Sequence, residues 1–226
     1  MKRSNVFLSG IAATALLLSV PAGPCVAQEG QTQRDLDARV RRFLDVHRRS
    51  WRDMNVPAAD GQVLHDLIVE HGYTRALEIG TSTGHSAIWI AWALSKTGGR
   101  LITIEIDEGR YREALANFEA AGLSEYIDAR LADAHELVPA LPGPFDFVFL
   151  DADKEWYTQY FRDALPKLVM GGCFTAHNVS DRGRYGRGGG RGGTGGFVEE
   201  LRNTPNLETE FVMSGGGLSV SYKRGP

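Results

Sequence analysis

At 226 residues, with 42% apolar and 23% charged side chains, the chain has the make-up of one soluble domain with a sizeable core. A formal charge of −3 at pH 7 gives no support for bulk nucleic-acid binding.

The amino terminus differs from the rest. Lys2 and Arg3 precede an apolar stretch from Val6 to Val20, and Pro21 to Ala27 then ends in small residues. This is the build of a secretory signal cleaved after Ala27, and the stretch is short for a membrane span. The expected product is exported to the periplasm or medium with no stable membrane partner. An uncleaved anchor, or a cytosol-facing domain, is the competing reading. Removing residues 1–27 takes away two bases and no acid, which moves the charge from −3 to −5, and leaves Cys173 without a disulfide partner. Cys173 lies in an apolar strand and reads as a core residue.

Residues 28–53 form an N-terminal helical segment. Leu36, Val40, Phe43, Leu44 and Val46 are spaced for an amphipathic helix that packs on the domain or supports a homodimer. The main domain is expected over 54–226. Gly61 to Gly72 reads as a helix feeding the first strand. Strands at 75–80, 101–106, 127–132, 145–151 and 172–177 then alternate with helices at 85–96, 108–121, 134–140 and 154–168. Repeated β-α units of this length imply a parallel sheet with helices on both faces.

The first of these units carries most information. In Ala76-Leu77-Glu78-Ile79 polar alternation fails, so the strand is expected to be covered on both faces. Glu78, Gly80 and Gly84 set an E-x-G-x-x-x-G spacing at its C-terminal end, where open α/β sheets bind ligands. The acid and the wide glycine spacing favour S-adenosylmethionine, with its amino group and sulfonium, over a dinucleotide, whose pyrophosphate wants G-x-G-x-x-G. Glu105, at the tip of the second strand, is placed to accept ribose hydroxyls.

The fourth strand ends in Asp151, Asp153 and Lys154, and the fifth in His177 and Asn178. If the two strands are neighbours, Asp151, His177 and Asn178 can surround a divalent cation with positions left open. Such a cation could hold two adjacent hydroxyls of an acceptor. Lys154, three residues after Asp151, is the expected general base, its pKa lowered by desolvation and the nearby cation. Without a metal, His177 could itself act as base. An exported adenosyl-binding module without catalysis is the remaining alternative. Residues 181–196 are nearly all glycine and arginine and are expected to form a mobile loop beside the site. Beyond it, LETEFVMS and GLSVSYKR flank Gly215-Gly216-Gly217 as an antiparallel hairpin.

On these motifs the chain resembles the cation-dependent O-methyltransferases, the group holding catechol and caffeoyl-CoA O-methyltransferases, closely over about residues 50–180. The resemblance implies a Rossmann-like seven-stranded α/β sheet, mostly parallel with a C-terminal antiparallel hairpin. It also implies methylation of a catechol-like aromatic acceptor by S-adenosylmethionine. MNVPAADGQ at 54–62 is similar to the family's segment closing over the cofactor, which nominates Met54 and Val56. LEIGTSTGHSA and LITIEID nominate Glu78, Gly80, Ser86 and Glu105, and ADAHEL nominates Ala134 and His135 beside the adenine. DADKEWYTQY is similar to the caffeoyl-CoA branch, where Asp151 binds metal beside the cofactor, Lys154 lies at the reacting hydroxyl, and Asp153 and Tyr157 face the acceptor. One departure stands out. Where the family pattern has Asp-Asn after the fifth strand, this chain has His177-Asn178, which removes a hard oxygen ligand and shifts preference from Mg²⁺ or Ca²⁺ toward Mn, Fe, Co, Ni or Zn.

Overall fold

A computed structural model describes residues 24–51, 54–180, 194–213 and 215–225. The expected signal segment therefore lies outside the described residues up to 23, while residues 24–27 belong to the first helix. Most of the expected glycine-arginine loop, 181–193, also lies outside them.

Helices α1 (Pro24–His47) and α2 (Ala58–His71) precede the alternating units. These are β1 (Arg75–Ile79), α3 (His85–Thr97), β2 (Arg100–Glu105), α4 (Glu108–Ala121), β3 (Ile127–Leu131), α5 (Ala134–Ala140), β4 (Phe145–Leu150), α6 (Tyr157–Ala164) and β5 (Leu168–His177). Helix α7 (Gly195–Asn203) and strands β6 (Leu207–Val212) and β7 (Leu218–Lys223) complete the order.

The seven strands run β3-β2-β1-β4-β5-β7-β6, with β7 antiparallel to both neighbours and the remaining pairs parallel. Strand order reverses between β1 and β4, so their C-terminal tips open the crevice where this architecture places ligands. The run Phe145–Leu150 is buried throughout because both faces are covered. Phe147 and Phe149 pack toward α1 to α4, whereas Phe145, Val148 and Leu150 pack toward α5, α6 and α7.

Local chemistry sets the boundaries. Gly72, Gly98 and Gly122 end α2, α3 and α4 in the left-handed conformation, and the Asp107 and Asp133 side chains cap α4 and α5. The expected helix over 154–168 is divided. A 3₁₀ turn at Lys154–Trp156 precedes α6 and another at Leu165–Lys167 follows it, where Pro166 cannot continue the helical ladder. Strand β5 begins earlier than expected because Gly171-Gly172 is taken up as a register irregularity against β4 rather than ending the strand. Helix α7 was not anticipated. Helix α1 packs on its own domain: Val40, Phe43 and Leu44 enter the core, and Asp37 accepts from Trp92 Nε1 and Lys96 Nζ, each at 2.6 Å. Cys173 is fully buried and burial raises its thiol pKa far above the ordinary value, consistent with a core role.

Candidate active site

The β1 side of the crevice is made by main chain. Gly80 (φ 97°) turns the chain so closely against β4 that a Cβ there would collide with the Asp151 carbonyl. Gly84, also at φ 97°, lies against the Phe118 ring in the same way. Glu105 takes three backbone donors, with Oε2 accepting from Ser82 N at 2.7 Å and Oε1 from Ile106 N at 3.0 Å and Asp107 N at 2.9 Å. It therefore shapes the loops after β1 and β2.

Glu78 is fully buried. Its Oε2 accepts from Thr103, while Oε1 has no hydrogen-bond partner among the described residues. Burial pushes this carboxyl up to about 8, against the pull of the Ser86 and Thr103 hydroxyls. An orphaned acid beneath a glycine turn suits a cationic ligand group, as the amino group of S-adenosylmethionine would be.

The segment before α2 is tied to this turn through Asn55 and Val56. Asn55 Nδ2 donates to Thr83 Oγ1 at 2.8 Å, and His85 Nδ1 donates to the Val56 carbonyl at 2.8 Å while Nε2 accepts from Trp89 Nε1 at 3.1 Å. Burial lowers the His85 pKa to about 4, so this ring is neutral and serves as a connector. Val56 is buried and Met54 is exposed with φ 47°. On the α5 side, Ala134 and His135 start the helix and the His135 ring stacks on Trp156 at 3.8 Å. Asp153 turns to this cluster, accepting from Tyr160 at 2.9 Å and lying 3.2 Å from His135 Nε2. Asp151 and Asp153 thus serve different clusters, which two-residue spacing alone did not show.

The β4 and β5 tips are neighbours, as expected, and bring Asp151 and His177 together. His177 Nδ1 is 2.9 Å from Asp151 Oδ2, and Lys154 Nζ donates to Asp151 Oδ1 at 2.7 Å. Lys154 also donates to the Tyr157 hydroxyl, which in turn donates to the His177 carbonyl at 3.1 Å. Tyr157 is fully buried, so in place of the expected acceptor contact it supports the floor of the site.

The residue missed by sequence reasoning is Asp60, in the first turn of α2. It is fully buried, and its Oδ2 sits 3.0 Å from His177 Nε2 and accepts from Gly216 N at 2.6 Å. His177 therefore lies between two carboxylates with both ring nitrogens engaged. Burial alone would lower its pKa, but the hydrogen bonds and charges of Asp151 and Asp60 push it up to about 9. Burial would likewise raise Asp151, yet His177 and Lys154 hold it below the usual carboxylate range. The glycine hairpin turn closes the group. A Cβ on Gly215 would come 2.6 Å from both Asp60 carboxylate oxygens, and one on Gly216 would collide with His177 Nε2.

The expected ligand set of Asp151, His177 and Asn178 does not fit a cation here. Each nitrogen of His177 faces an acid, so neither offers a lone pair, and both oxygens of Asp151 are already paired. Asn178 sits at φ 57° with its carbonyl 3.5 Å from the Thr194 hydroxyl. Among the described residues no group of three acids, histidines or cysteines is arranged to hold a metal ion. The same engagement argues against His177 as a base.

Comparison with known proteins identifies the family. Residues 31–185 match the family model described as O-methyltransferase. A catechol O-methyltransferase of Niastella koreensis is 43% identical over 112 residues, covering 48% of this chain and 50% of the relative. Caffeoyl-CoA O-methyltransferase 1 of Zea mays is 34% identical over 135 residues, covering 57% and 52%. The chain thus spans about half the length of the curated relatives it matches. The crystal structure of an O-methyltransferase from Bacillus cereus, in complex with SAH, superposes with a TM-score of 0.70 at 26% identity, covering 88% of this chain and 97% of that one. A family model that spans most of the described domain, on a sheet of the same architecture, places this chain in the O-methyltransferase family.

Proposed function

We propose that the chain is an S-adenosylmethionine-dependent O-methyltransferase that methylates a hydroxyl of a small catechol-like aromatic acceptor. The observation that carries this reading is the juxtaposition, across the β1–β4 crevice, of the orphaned Glu78 carboxylate and the Asp151–Lys154 pair. The first suits a cofactor ammonium, and the second presents a partly exposed amine where an acceptor hydroxyl can reach it. Relatives named for catechol and caffeoyl-CoA support the acceptor class.

S-adenosylmethionine supplies an electrophilic methyl on a sulfonium. The acceptor oxygen forms the new C–O bond, the C–S bond breaks with its electron pair left on sulfur, and the hydroxyl proton passes to Lys154 Nζ. Asp151 and Tyr157 hold that nitrogen in place. Export rests on the N-terminal sequence alone.

The test is transfer of labelled methyl to a panel of catechols and hydroxycinnamoyl thioesters. Lys154→Ala is expected to lower kcat by about a hundredfold or more while S-adenosylhomocysteine affinity stays the same. Unchanged turnover would remove Lys154 from its role. Tight cofactor binding with no transfer to any acceptor would favour a binding module.

A further inference from the structure

We propose that the His177 imidazolium, clamped between Asp60 and Asp151, is the built-in positive charge of the acceptor site where the family resemblance puts a divalent cation, so that the site works without a bound metal. Asp60 is the positioning residue that keeps it there. This rests on the methyltransferase reading above and concerns how that same site is charged.

A neutral imidazole has one N–H and one lone pair, so between two carboxylates it would turn that lone pair toward an acid oxygen. With Nδ1 2.9 Å from Asp151 and Nε2 3.0 Å from Asp60, two N–H donors satisfy both sides. The ring's two acid neighbours each receive one of these N–H bonds, and Asp151 also accepts from Lys154. A carboxylate in place of His177 would instead bring three acids together and demand a cation; the imidazole removes that demand. A metal would have to displace Lys154 or turn the ring away from an acid, exposing a buried charge. The ring has no room to turn toward the hairpin, where the Gly216 backbone lies against Nε2 and donates to Asp60. The glycine turn is therefore part of the device, as a side chain there would break the clamp.

The experiment uses the full chain saturated with S-adenosylhomocysteine and follows Mn²⁺ binding by the loss of its free electron paramagnetic resonance signal. The wild type is expected to bind no Mn²⁺ at this site, and its methyl transfer is expected to be unaffected by chelator. His177→Asp is expected to gain Mn²⁺ affinity by about tenfold or more, and Asp151→Asn on that background is expected to abolish the gain. Asp151-dependent Mn²⁺ binding by the wild type, or transfer that collapses with chelator and returns with metal, would overturn the proposal. If His177→Asp does not fold, these wild-type measurements still decide it. If no acceptor is methylated under any condition, the functional reading fails, while the Mn²⁺ titration still answers the question of the site's charge. For Asp60, the ¹⁵N resonances of His177 should show two protonated ring nitrogens in the wild type and one in Asp60→Asn at mildly alkaline pH. Two in both proteins would remove Asp60 from the positioning role.

Discussion

The two sides of the crevice are built on opposite plans. On the cofactor side, Glu78, Gly80, Ser82 and Glu105 come from two consecutive β-strand tips, and most of their partners are backbone amides of adjoining turns. On the acceptor side, His177 meets Asp60 from 117 residues away, and Asp60 meets Gly216 from 156 residues away. A site made of local turns depends on a few residues of one motif. A site made of distant buried charges depends on the whole fold arriving together, and it should respond far more strongly to loss of one member.

Asp60→Ala gives the sharpest test of that difference. Removing one acid leaves His177 buried against a void, and breaking a buried charge pair costs about 3–5 kcal/mol. Urea unfolding should show a loss of that size. S-adenosylhomocysteine binding to the remaining folded protein should be nearly unchanged, because the hydrogen bonds of Glu78 and Glu105 do not involve Asp60. Equal damage to both sides would erase the contrast.

The two sides should also separate along the pH axis. His177 is raised from 6.5 to about 9, so its contribution is fully present below pH 6.5 and lost as pH rises through 9. That contribution is about 3 kcal/mol for a shift of this size. Glu78 is raised from 4.5 to about 8 by burial, so its protonated form favours the folded state and stability falls over the lower window between those values. Unfolding midpoints should therefore fall from pH 4.5 to about 9 in two overlapping phases. His177→Gln should flatten the upper step and Glu78→Gln the lower. A single step abolished by either variant would mean that the two sides titrate as one unit.

These contrasts explain what could be read from the chain. Strand β4 was the most legible because a fully buried strand appears as a continuous apolar run, and Glu78 and Glu105 were legible because ligand chemistry clusters at strand ends. Asp153 and Asp151 looked alike in sequence, and only the fold shows that one turns to Tyr160 and the other to Lys154. Asp60 was illegible. An acid in the first turn of a helix is ordinarily a solvated dipole partner, and nothing local marks it as buried against His177. The hairpin glycines were read as a turn, but their second role, admitting backbone against Asp60 and His177, depends on a neighbour that only the fold supplies. Helix α7 was lost because its first two residues continue a glycine-rich stretch.

Gly216→Ala probes that second role with a smaller expected cost. The added methyl must push against the His177 ring, and overpacking of this kind costs about 1–3 kcal/mol. Methyl transfer should fall with stability, since the clamp on Asp151 shifts. Gly196→Ala is a useful control, because Gly196, like Gly216, has no left-handed φ, and it faces open space. Matching losses in both variants would show that contact with His177 is not responsible.

The smallest expected effect lies back on the cofactor side. Trp156 is partly exposed and stacks on His135 at 3.8 Å with an interplanar angle of 19°. Together with Tyr160 it forms an aromatic edge beside Asp153. Trp156→Ala should leave the unfolding midpoint almost unchanged, because its ring borders the crevice and is not enclosed by the core. If this edge flanks the adenine, removing one ring should weaken S-adenosylhomocysteine by about 0.5–1.5 kcal/mol, the usual worth of an aromatic pair, as measured by calorimetry. A loss confined to the KM of the aromatic acceptor would move Trp156 to the other side of the crevice. It would also show that the acceptor side reaches beyond the buried charges around His177 and includes a local surface element of its own.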